Sequence, residues 1–326
     1  MNIPSYTRIF LLSQYDSIFQ KYNMRSKILF IVIVVSLYSC RTITIDNDKD
    51  IVDIPVSIEL IMIPAGAYSS GGAGLEKYIE YDYSMMKYPV TNAQYIDFLI
   101  EADSLGLITI DSLGVYGLYC GDNFWPRGIY QFIDFSAKNS RIGYYPPDAY
   151  FTKWRYVNNR KEYYYNHPIT HVTWYGAIAF AKFYGMRLPT IEEWEKAARA
   201  NSGNDYPWGN IISSQFANYK NSGDEYDNDT TPVWYYNGLN NTNNSYSPYG
   251  VYDMAGNVWE WTSSWWRDSS GKVIKGGSFN SSLLQSNDSD KLISYDLLSW
   301  FEPAIGYLPT NISHEIGFRC VKDIEN

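Results

Sequence analysis

Several features are scarce in this chain of 326 residues, and each scarcity excludes a class of protein. There is no block of Lys and Arg, and the net charge is −9, so we expect no nucleic-acid partner, which would need a concentrated basic face. The chain has three histidines, and Pro168 between His167 and His171 argues against one helical face that carries both. A zinc site needs three or four converging ligands, and the third histidine, His314, is distant in sequence. A metal hydrolase is therefore not predicted.

Long apolar runs are also lacking, and residues 28–39 are too few to cross a bilayer as a helix. This run follows a short basic segment, residues 24–27, and ends at Cys40, as in a bacterial lipoprotein signal whose cysteine is lipidated. Residues 1–23 would then be an upstream extension, and the polar residues 41–56 a tether. We expect a lipid-anchored protein of the bacterial cell envelope, outside the cytoplasm. An uncleaved membrane anchor and a buried strand are the alternatives.

Cysteine is rare, because only Cys120 and Cys320 remain once Cys40 is set aside. In an oxidising compartment these two residues can pair, so a disulfide between Cys120 and Cys320 is one prediction. Two separate buried thiols are the alternative, since the sequence does not give the distance between them.

Local signals place a few regular elements. Residues 57–67 predict an apolar strand, which Pro64 and Gly66 end. Three helices are predicted, with Thr91, Thr173 and Thr190 as their N-terminal caps, and Thr190 forms a capping box with Glu193.

Aromatic residues are abundant, with 32 Tyr and 11 Trp, and they are dense in residues 103–166. This stretch has weak periodicity, and a segment of such length within a compact domain is typically functional or structured on its own. It either contributes to a ligand site or only covers the core. Tyr and Asn on irregular loops suit a recognition surface, although a loop-rich fold can use Tyr simply to close small cores.

Several spaced motifs resemble one family. They are RLPTIEEWEKAAR at 187–199, YPWGN at 206–210, GVYDMAGNVWEW at 250–261, KGGSF at 275–279 and IGFR at 316–319. Together they resemble the formylglycine-generating enzymes, also called the sulfatase-modifying-factor family. The resemblance implies one α+β domain over residues 57–322, with an irregular C-type-lectin-like fold, low secondary-structure content and the Tyr-rich insertion at about 103–166.

The family's chemistry is what the sequence lacks. The resemblance implies that catalytic members bind Cu(I) through two cysteines after the Gly-Gly-Ser motif and use oxygen to convert a substrate cysteine to formylglycine. Those two positions fall on Ser281 and Ser286. A serine hydroxyl is a poor ligand for a soft metal, so copper is not expected. Trp259 and Ser278 would mark the former active-site pocket, although Trp259 also suits a core position.

The resemblance also implies calcium. One site would use the side chains of Asp253 and Glu260 with the carbonyls of Gly256 and Val258, an oxygen set that suits a hard cation. Without a metal, Glu260 would instead hydrogen-bond a backbone turn.

A second calcium site would use Asn218 and Tyr219 with an acid from the loop 224–229. A solvated acidic turn is the alternative for this loop.

We therefore expect an exported, lipid-anchored domain that does not carry out the family's oxidation. Its role would be binding or structural, with a protein or glycan partner in the cell envelope. The alternative is a formylglycine-generating oxidase, or another oxidation on the same scaffold, that uses residues not evident from the sequence.

Overall fold

The structure is a computed structural model, and it describes residues 58–71, 75–145, 149–226, 228–239, 241–266, 271–281 and 304–324. The predicted signal, the tether, Cys40 and Ser286 lie outside these residues. The chain divides into residues 1–50 and 51–326, and every described residue belongs to the second unit. None of the helices in the described ranges is both long and apolar enough for a membrane span.

Three α-helices occur in the described residues: α1 (Asn92–Ser104), α2 (Trp174–Phe183) and α3 (Ile191–Arg199). Each begins after a threonine whose hydroxyl accepts a backbone hydrogen bond, as predicted for Thr91, Thr173 and Thr190. The Thr190–Glu193 capping box is present, and α1 has a second capping box with Gln94. The helix starts are therefore encoded locally, by side chains three residues apart.

Short strands make up the rest of the regular structure in the described ranges: β1 (Leu60–Ile63), β2 (Gly66–Ser70), β3 (Leu75–Ile79), β4 (Tyr83–Met86), β5 (Ile108–Ile110), β6 (Gly114–Tyr119), β7 (Gly128–Asp134), β8 (Ile142–Tyr145), β9 (Ala149–Thr152), β10 (Trp154–Val157), β11 (Arg160–Tyr163), β12 (Trp259–Trp265), β13 (Lys272–Lys275), β14 (Ala304–Tyr307), β15 (Ile316–Gly317) and β16 (Val321–Asp323). The predicted strand at 57–67 is shorter than expected, because β1 ends before Pro64 and Gly66 begins β2.

Two sheets join distant parts of the sequence. The first is antiparallel, in the order β1–β4–β16, with Leu60 opposite Met86 and Val321 opposite Met85. The second has the order β14–β13–β12–β15, and its β12–β15 pair is parallel. β12 starts within the motif at 250–261, so this sheet positions the residues expected to form the site.

The Tyr-rich insertion is a set of small antiparallel sheets rather than a loop. β5, β6 and β7 form one sheet, β8 pairs with β9, and β10 pairs with β11, after which residues 164–166 form a 3₁₀ turn. Its side chains Val115, Phe132, Ile133 and Ile142 are buried in the main hydrophobic core. The insertion therefore helps to build the core as well as covering it.

Aromatic rings close the main core between α1, α2 and the end of the domain. Tyr95 stacks on Phe180 with ring centroids 5.9 Å apart, and Phe318 meets Phe180 edge-on at 5.4 Å. A second cluster, around Trp194 and Tyr83, packs below α3. Much of the aromatic content therefore serves small cores, in agreement with one of the two alternatives for the tyrosines.

The predicted disulfide between Cys120 and Cys320 is wrong. Cys320 is a free thiol with no exposed surface, and burial raises its pKa. It precedes β16, where its carbonyl accepts a hydrogen bond from the Met86 backbone at 2.9 Å. Cys120 is exposed at the end of β6, in a different sheet. Because Cys320 is a free thiol, it has no disulfide partner.

Candidate functional site

The motif at 250–261 contains one member of a buried ion pair. Glu260 accepts hydrogen bonds from Arg319 at both carboxylate oxygens, each at 2.7 Å, and from the Trp194 indole at 2.8 Å. The two charged side chains are 1% and 0% exposed. Such a pair is stable only when its remaining groups also find partners. The other guanidinium donors of Arg319 are bound to the backbone carbonyls of Met86, Lys87, Tyr252 and Asp253.

Asp253 lies in the same motif, but its carboxyl group has fewer partners than that of Glu260. Its backbone has a left-handed φ of 56°, and its side-chain Oδ2 is buried without a hydrogen-bond partner. Burial raises the pKa of Asp253 to about 8, and the nearby charge of Arg319 and a hydrogen bond with the Asn257 side chain only partly oppose this. A buried carboxyl group of this kind ionises readily only when a positive charge reaches it.

Asn218 lies against the same loop. Its backbone carbonyl accepts a hydrogen bond from the Asn257 N–H at 2.8 Å. Gly256 has a φ of 83°, and a Cβ at this position would overlap the Asn218 carbonyl, so the close approach requires glycine. The Oδ1 atom of Asn218 is buried and has no hydrogen-bond partner. Each of the two predicted calcium sites therefore contains one orphaned side-chain oxygen.

The other residues of the two predicted calcium sites make backbone contacts that belong to the local structure. The N–H of Gly256 donates to the Gly276 carbonyl at 2.8 Å, and Val258 is buried directly before β12. The carbonyl of Tyr219 accepts a hydrogen bond from the Ser222 N–H at 2.9 Å, within a turn.

The predicted calcium ligands therefore fit a cation in part. Asp253 and Asn218 each present a buried oxygen that lacks a donor, which is the condition a hard cation would satisfy. Glu260 differs, since Arg319 and Trp194 already donate to its carboxylate. In the part of the chain that the structure describes, no group of three or more His, Cys, Asp or Glu side chains is arranged around a possible metal.

The acidic loop of the second predicted site is neutralised by arginines from the insertion. Asp229 forms ion pairs with Arg141 and, at 2.9 Å, with Arg155, and it also accepts hydrogen bonds from the Tyr164 hydroxyl at 2.7 Å and the Thr230 N–H at 2.8 Å. Burial acts to raise the pKa of Asp229, but these partners lower it overall. This carboxylate is therefore already saturated without a metal.

Hydroxyl groups occupy the position at which the family resemblance implies the first catalytic cysteine. Ser281 Oγ accepts a hydrogen bond from the Ser278 N–H at 2.9 Å, and both residues are buried. Ser278 Oγ donates to Glu315 Oε2 at 2.6 Å, while Asn280 Nδ2 donates to Oε1 of the same carboxylate at 3.0 Å. The second expected position, Ser286, lies outside the described residues. The described position therefore stabilises a turn by hydrogen bonds.

Trp259, the other residue expected in the former pocket, is partly buried and packs against the main hydrophobic core. The backbone N–H of Trp259 donates to the Glu315 carbonyl at 2.8 Å, which fixes the start of β12 beside β15. This arrangement agrees with a role in packing.

Two of the histidines, His167 and His171, are buried, and the three histidines lie in two places. Burial lowers the pKa of His167 to about 3 and that of His171 to about 4. His167 contacts Thr230, with Nδ1 and Oγ1 3.0 Å apart. His314, although distant in sequence, has its ring centroid 6.3 Å from that of His171.

One cavity of about 490 Å³, here called the aromatic pocket, lies between β11, the following 3₁₀ turn and the loop 225–235. Its lining contains both aromatic and charged side chains. The lining residues are Arg160, Lys161, Glu162, Tyr163, Tyr165, Asn166, His167, Glu225, Tyr226, Pro232, Trp234 and Tyr235. Nothing in the sequence motifs pointed to this pocket, because its two sides come from the insertion and from a loop some 60 residues later.

A family model described as "Sulfatase-modifying factor enzyme 1-like domain" matches residues 55–324. The chain belongs to the sulfatase-modifying-factor family. It is 39% identical over 114 residues to the formylglycine-generating enzyme of Thermomonospora curvata, across 31% of this chain and 34% of that enzyme. It is 34% identical over 160 residues to the inactive C-alpha-formylglycine-generating enzyme 2 of Bos taurus, across 47% of this chain and 49% of that protein. The chain thus matches between a third and a half of each relative's length.

Solved structures share the fold of this sulfatase-modifying-factor domain. CarF superposes with a TM-score of 0.50 at 20% identity, over 82% of this chain and 99% of CarF. Treponema denticola variable protein 1 gives a TM-score of 0.50 at 16% identity, over 82% of this chain and 95% of that protein. At such low identity the likeness concerns the fold alone. The predicted irregular α+β, C-type-lectin-like fold is confirmed.

Proposed function

We propose that this chain is a non-catalytic member of the sulfatase-modifying-factor family, anchored by a lipid at Cys40 in the bacterial cell envelope. Its domain binds a protein or glycan partner there. The observation that carries the proposal is the hydroxyl at the first thiol position. Ser281 is buried and hydrogen-bonded to Ser278, and a hydroxyl in that environment does not hold Cu(I).

Two further observations support a pseudoenzyme. One relative with the same domain is named as inactive, and its match covers 47% of this chain. Residues 24–40 also have the layout of a lipoprotein signal, which favours a role at a membrane surface.

The competing function, a formylglycine-generating oxidation, would need a thiolate pair. Cys320 is a single thiol buried in the main hydrophobic core, where burial raises its pKa and disfavours the thiolate. Cu(I) binds thiolates, not protonated thiols.

Calcium is the cofactor that we propose, with Asp253 and the carbonyls of Gly256 and Val258 as ligands at the first predicted site, and Asn218 as a ligand at the second. The orphaned oxygens of the two side chains support this choice. The ion would supply the positive charge that the Asp253 carboxylate lacks and would order the loop before β12. Its role is structural.

The test uses the full chain, purified in detergent, loaded with copper and kept under air. A peptide with the Cys-x-Pro-x-Arg motif of the family's substrates is added, and mass spectrometry follows its cysteine. We expect no conversion to formylglycine. The Thermomonospora curvata enzyme, treated identically, is the positive control, and conversion of the peptide by this chain would overturn the proposal.

A further inference from the structure

We propose that the aromatic pocket binds a neutral oligosaccharide, so that the partner of this domain is a glycan. This inference rests on the proposed binding function and adds the site and the class of ligand.

Exposed rings form the walls of the aromatic pocket. Tyr163, Tyr165 and Trp234 are 42%, 48% and 40% exposed. The ring centroids of Tyr163 and Tyr165 lie 5.5 Å apart with 30° between the ring planes, so the two rings pack against each other. A sugar ring has a face of C–H groups and an edge of hydroxyls. Its face packs on an aromatic ring while its edge reaches polar groups. Tyr and Trp suit such a ligand because each combines an apolar ring with a polar group.

Two carboxylates stand at the rim in fixed positions. Glu162 accepts a hydrogen bond from the Tyr226 hydroxyl at 2.8 Å, and Glu225 accepts one from Asn158 Nδ2 at 2.8 Å. Their side chains remain 28% and 25% exposed. An ionised carboxylate offers about four acceptor positions, so each retains capacity for sugar hydroxyls.

The charges around the pocket balance, which disfavours a strongly charged ligand. Arg160 and Lys161 carry positive charge, and Glu162 and Glu225 carry negative charge. His167 adds none near neutral pH, since burial lowers its pKa to about 3. A phosphate or sulfate group would meet the two carboxylates, and a quaternary amine would meet the two cations. A neutral polyhydroxylated ligand meets donors and acceptors without either penalty.

The dimensions suit a short glycan that extends out of the pocket. A volume of 490 Å³ lies in the lower half of the range of roughly 300–1,000 Å³ that small-molecule sites occupy. Outside it, the β10–β11 hairpin carries Trp154 and Tyr156, which are 47% and 65% exposed with ring centroids 5.4 Å apart. Trp154 lies directly opposite Tyr163, and Lys161 Nζ lies 4.5 Å from the Trp154 ring. Further sugar units can therefore pack along the same face of the hairpin.

A glycan array with the full chain in detergent tests the proposal. The probes are neutral gluco-, manno-, galacto- and N-acetylglucosamine oligosaccharides, with sialylated and sulfated oligosaccharides as charged comparisons. We expect binding to at least one neutral series without a requirement for acidic groups. Absence of binding to every neutral probe, or binding to charged probes alone, would overturn the assignment.

Variants then locate the binding on the probe that gives the strongest signal. Trp234→Ala and Tyr165→Ala should each weaken affinity by roughly three- to tenfold, as loss of one aromatic contact implies. Glu162→Gln, which keeps the shape but removes the charge, should also weaken binding. The matched control is Tyr78→Ala, which removes a tyrosine that is 66% exposed on β3, outside the pocket lining. Equal affinity in all variants would place the glycan elsewhere and overturn the proposal.

The two proposals fail separately. A negative array with a negative peptide assay leaves a non-catalytic domain whose partner is a protein. Conversion of the peptide overturns the proposed function, whatever the array shows.

Discussion

Glu260 and Asp253 belong to one short motif, yet their carboxyl groups experience opposite conditions. Arg319 donates to both oxygens of Glu260, but it reaches Asp253 only at the backbone carbonyl, at 3.2 Å. The single buried guanidinium therefore neutralises Glu260 and leaves the Asp253 carboxyl group without a counter-charge. This difference predicts that Asp253, rather than Glu260, would respond to an added cation.

We expect calcium to stabilise the wild-type chain more than the Asp253→Asn variant, because the variant keeps one ligand oxygen but lacks the negative charge that a cation would neutralise. A ligand at 100 times its Kd stabilises a folded protein by about 2.7 kcal/mol. Thermal unfolding with calcium and then with excess chelator measures the difference. Asp103→Asn, at an exposed position in α1, is the control and should retain the calcium response. An equal response in Asp253→Asn would contradict a site at this residue.

His167 should make the domain sensitive to acid. Its pKa falls from an ordinary value of 6.5 to about 3 because it is buried, so folding favours the neutral ring. The stabilisation is fully present above pH 6.5 and is lost as the pH falls towards 3. In that window the unfolded chain binds one more proton, and the free energy of unfolding falls by up to about 1.4 kcal/mol per pH unit.

Urea unfolding of the wild type and of His167→Gln at a series of pH values tests this effect. The variant should show a shallower pH dependence, with part of it remaining because burial also lowers the pKa of His171 to about 4. Identical slopes for the two proteins would show that His167 is not the titrating group.

At the scale of elements, helix starts follow from the sequence, while the sheets of the insertion do not. Thr190 and Glu193 are three residues apart, so their capping box requires no tertiary information. In β6, buried and half-buried residues alternate imperfectly, since Gly114 and Val115 are both buried. Its pairing with β7 also contains a register shift. Strands of this kind lack the two-residue period from which a strand is inferred.

The contacts of the site escaped the sequence for a related reason. Arg141 lies 88 residues from Asp229, and Arg319 lies 59 residues from Glu260. Motif spacing assigned Asp253 and Asn218 to two separate predicted sites, and it gave no information on which charges approach either site from elsewhere in the chain. The arginines of the Tyr-rich insertion were the available sequence signal for the ion pairs of Asp229, and a lone arginine does not indicate which acidic residue it will contact.

Asp229 connects two elements, since its partners Arg141 and Arg155 come from the insertion. Asp229→Ala would leave two partly buried guanidinium groups without their counter-charge, and loss of one partner of a buried pair costs about 3–5 kcal/mol. Urea unfolding measures this loss. Arg160→Ala is the control, because Arg160 is 71% exposed and such a substitution changes stability by about 0.5 kcal/mol or less. Similar effects for both variants would rule out a special role for Asp229.

We expect one residue, Cys40, to hold the whole molecule at a membrane surface through its lipid. Cys40→Ser should abolish incorporation of a labelled fatty acid and move the protein from the detergent phase to the aqueous phase in a phase-separation assay. Cys320→Ser is the control, and it should retain the label because Cys320 is a buried thiol of the core. Label retained in Cys40→Ser would contradict the lipid anchor.

The first sheet is completed by β16, and Arg319, two residues before this strand, donates a hydrogen bond to the carbonyl of Met86, 233 residues earlier. During synthesis, the domain therefore cannot close its core until residues 319–323 have left the ribosome. Contacts between such distant segments form slowly, and the nascent chain remains open and sensitive to protease for most of its translation. For a chain that is exported, as we propose for this one, late closure would leave time for threading through an export channel before folding.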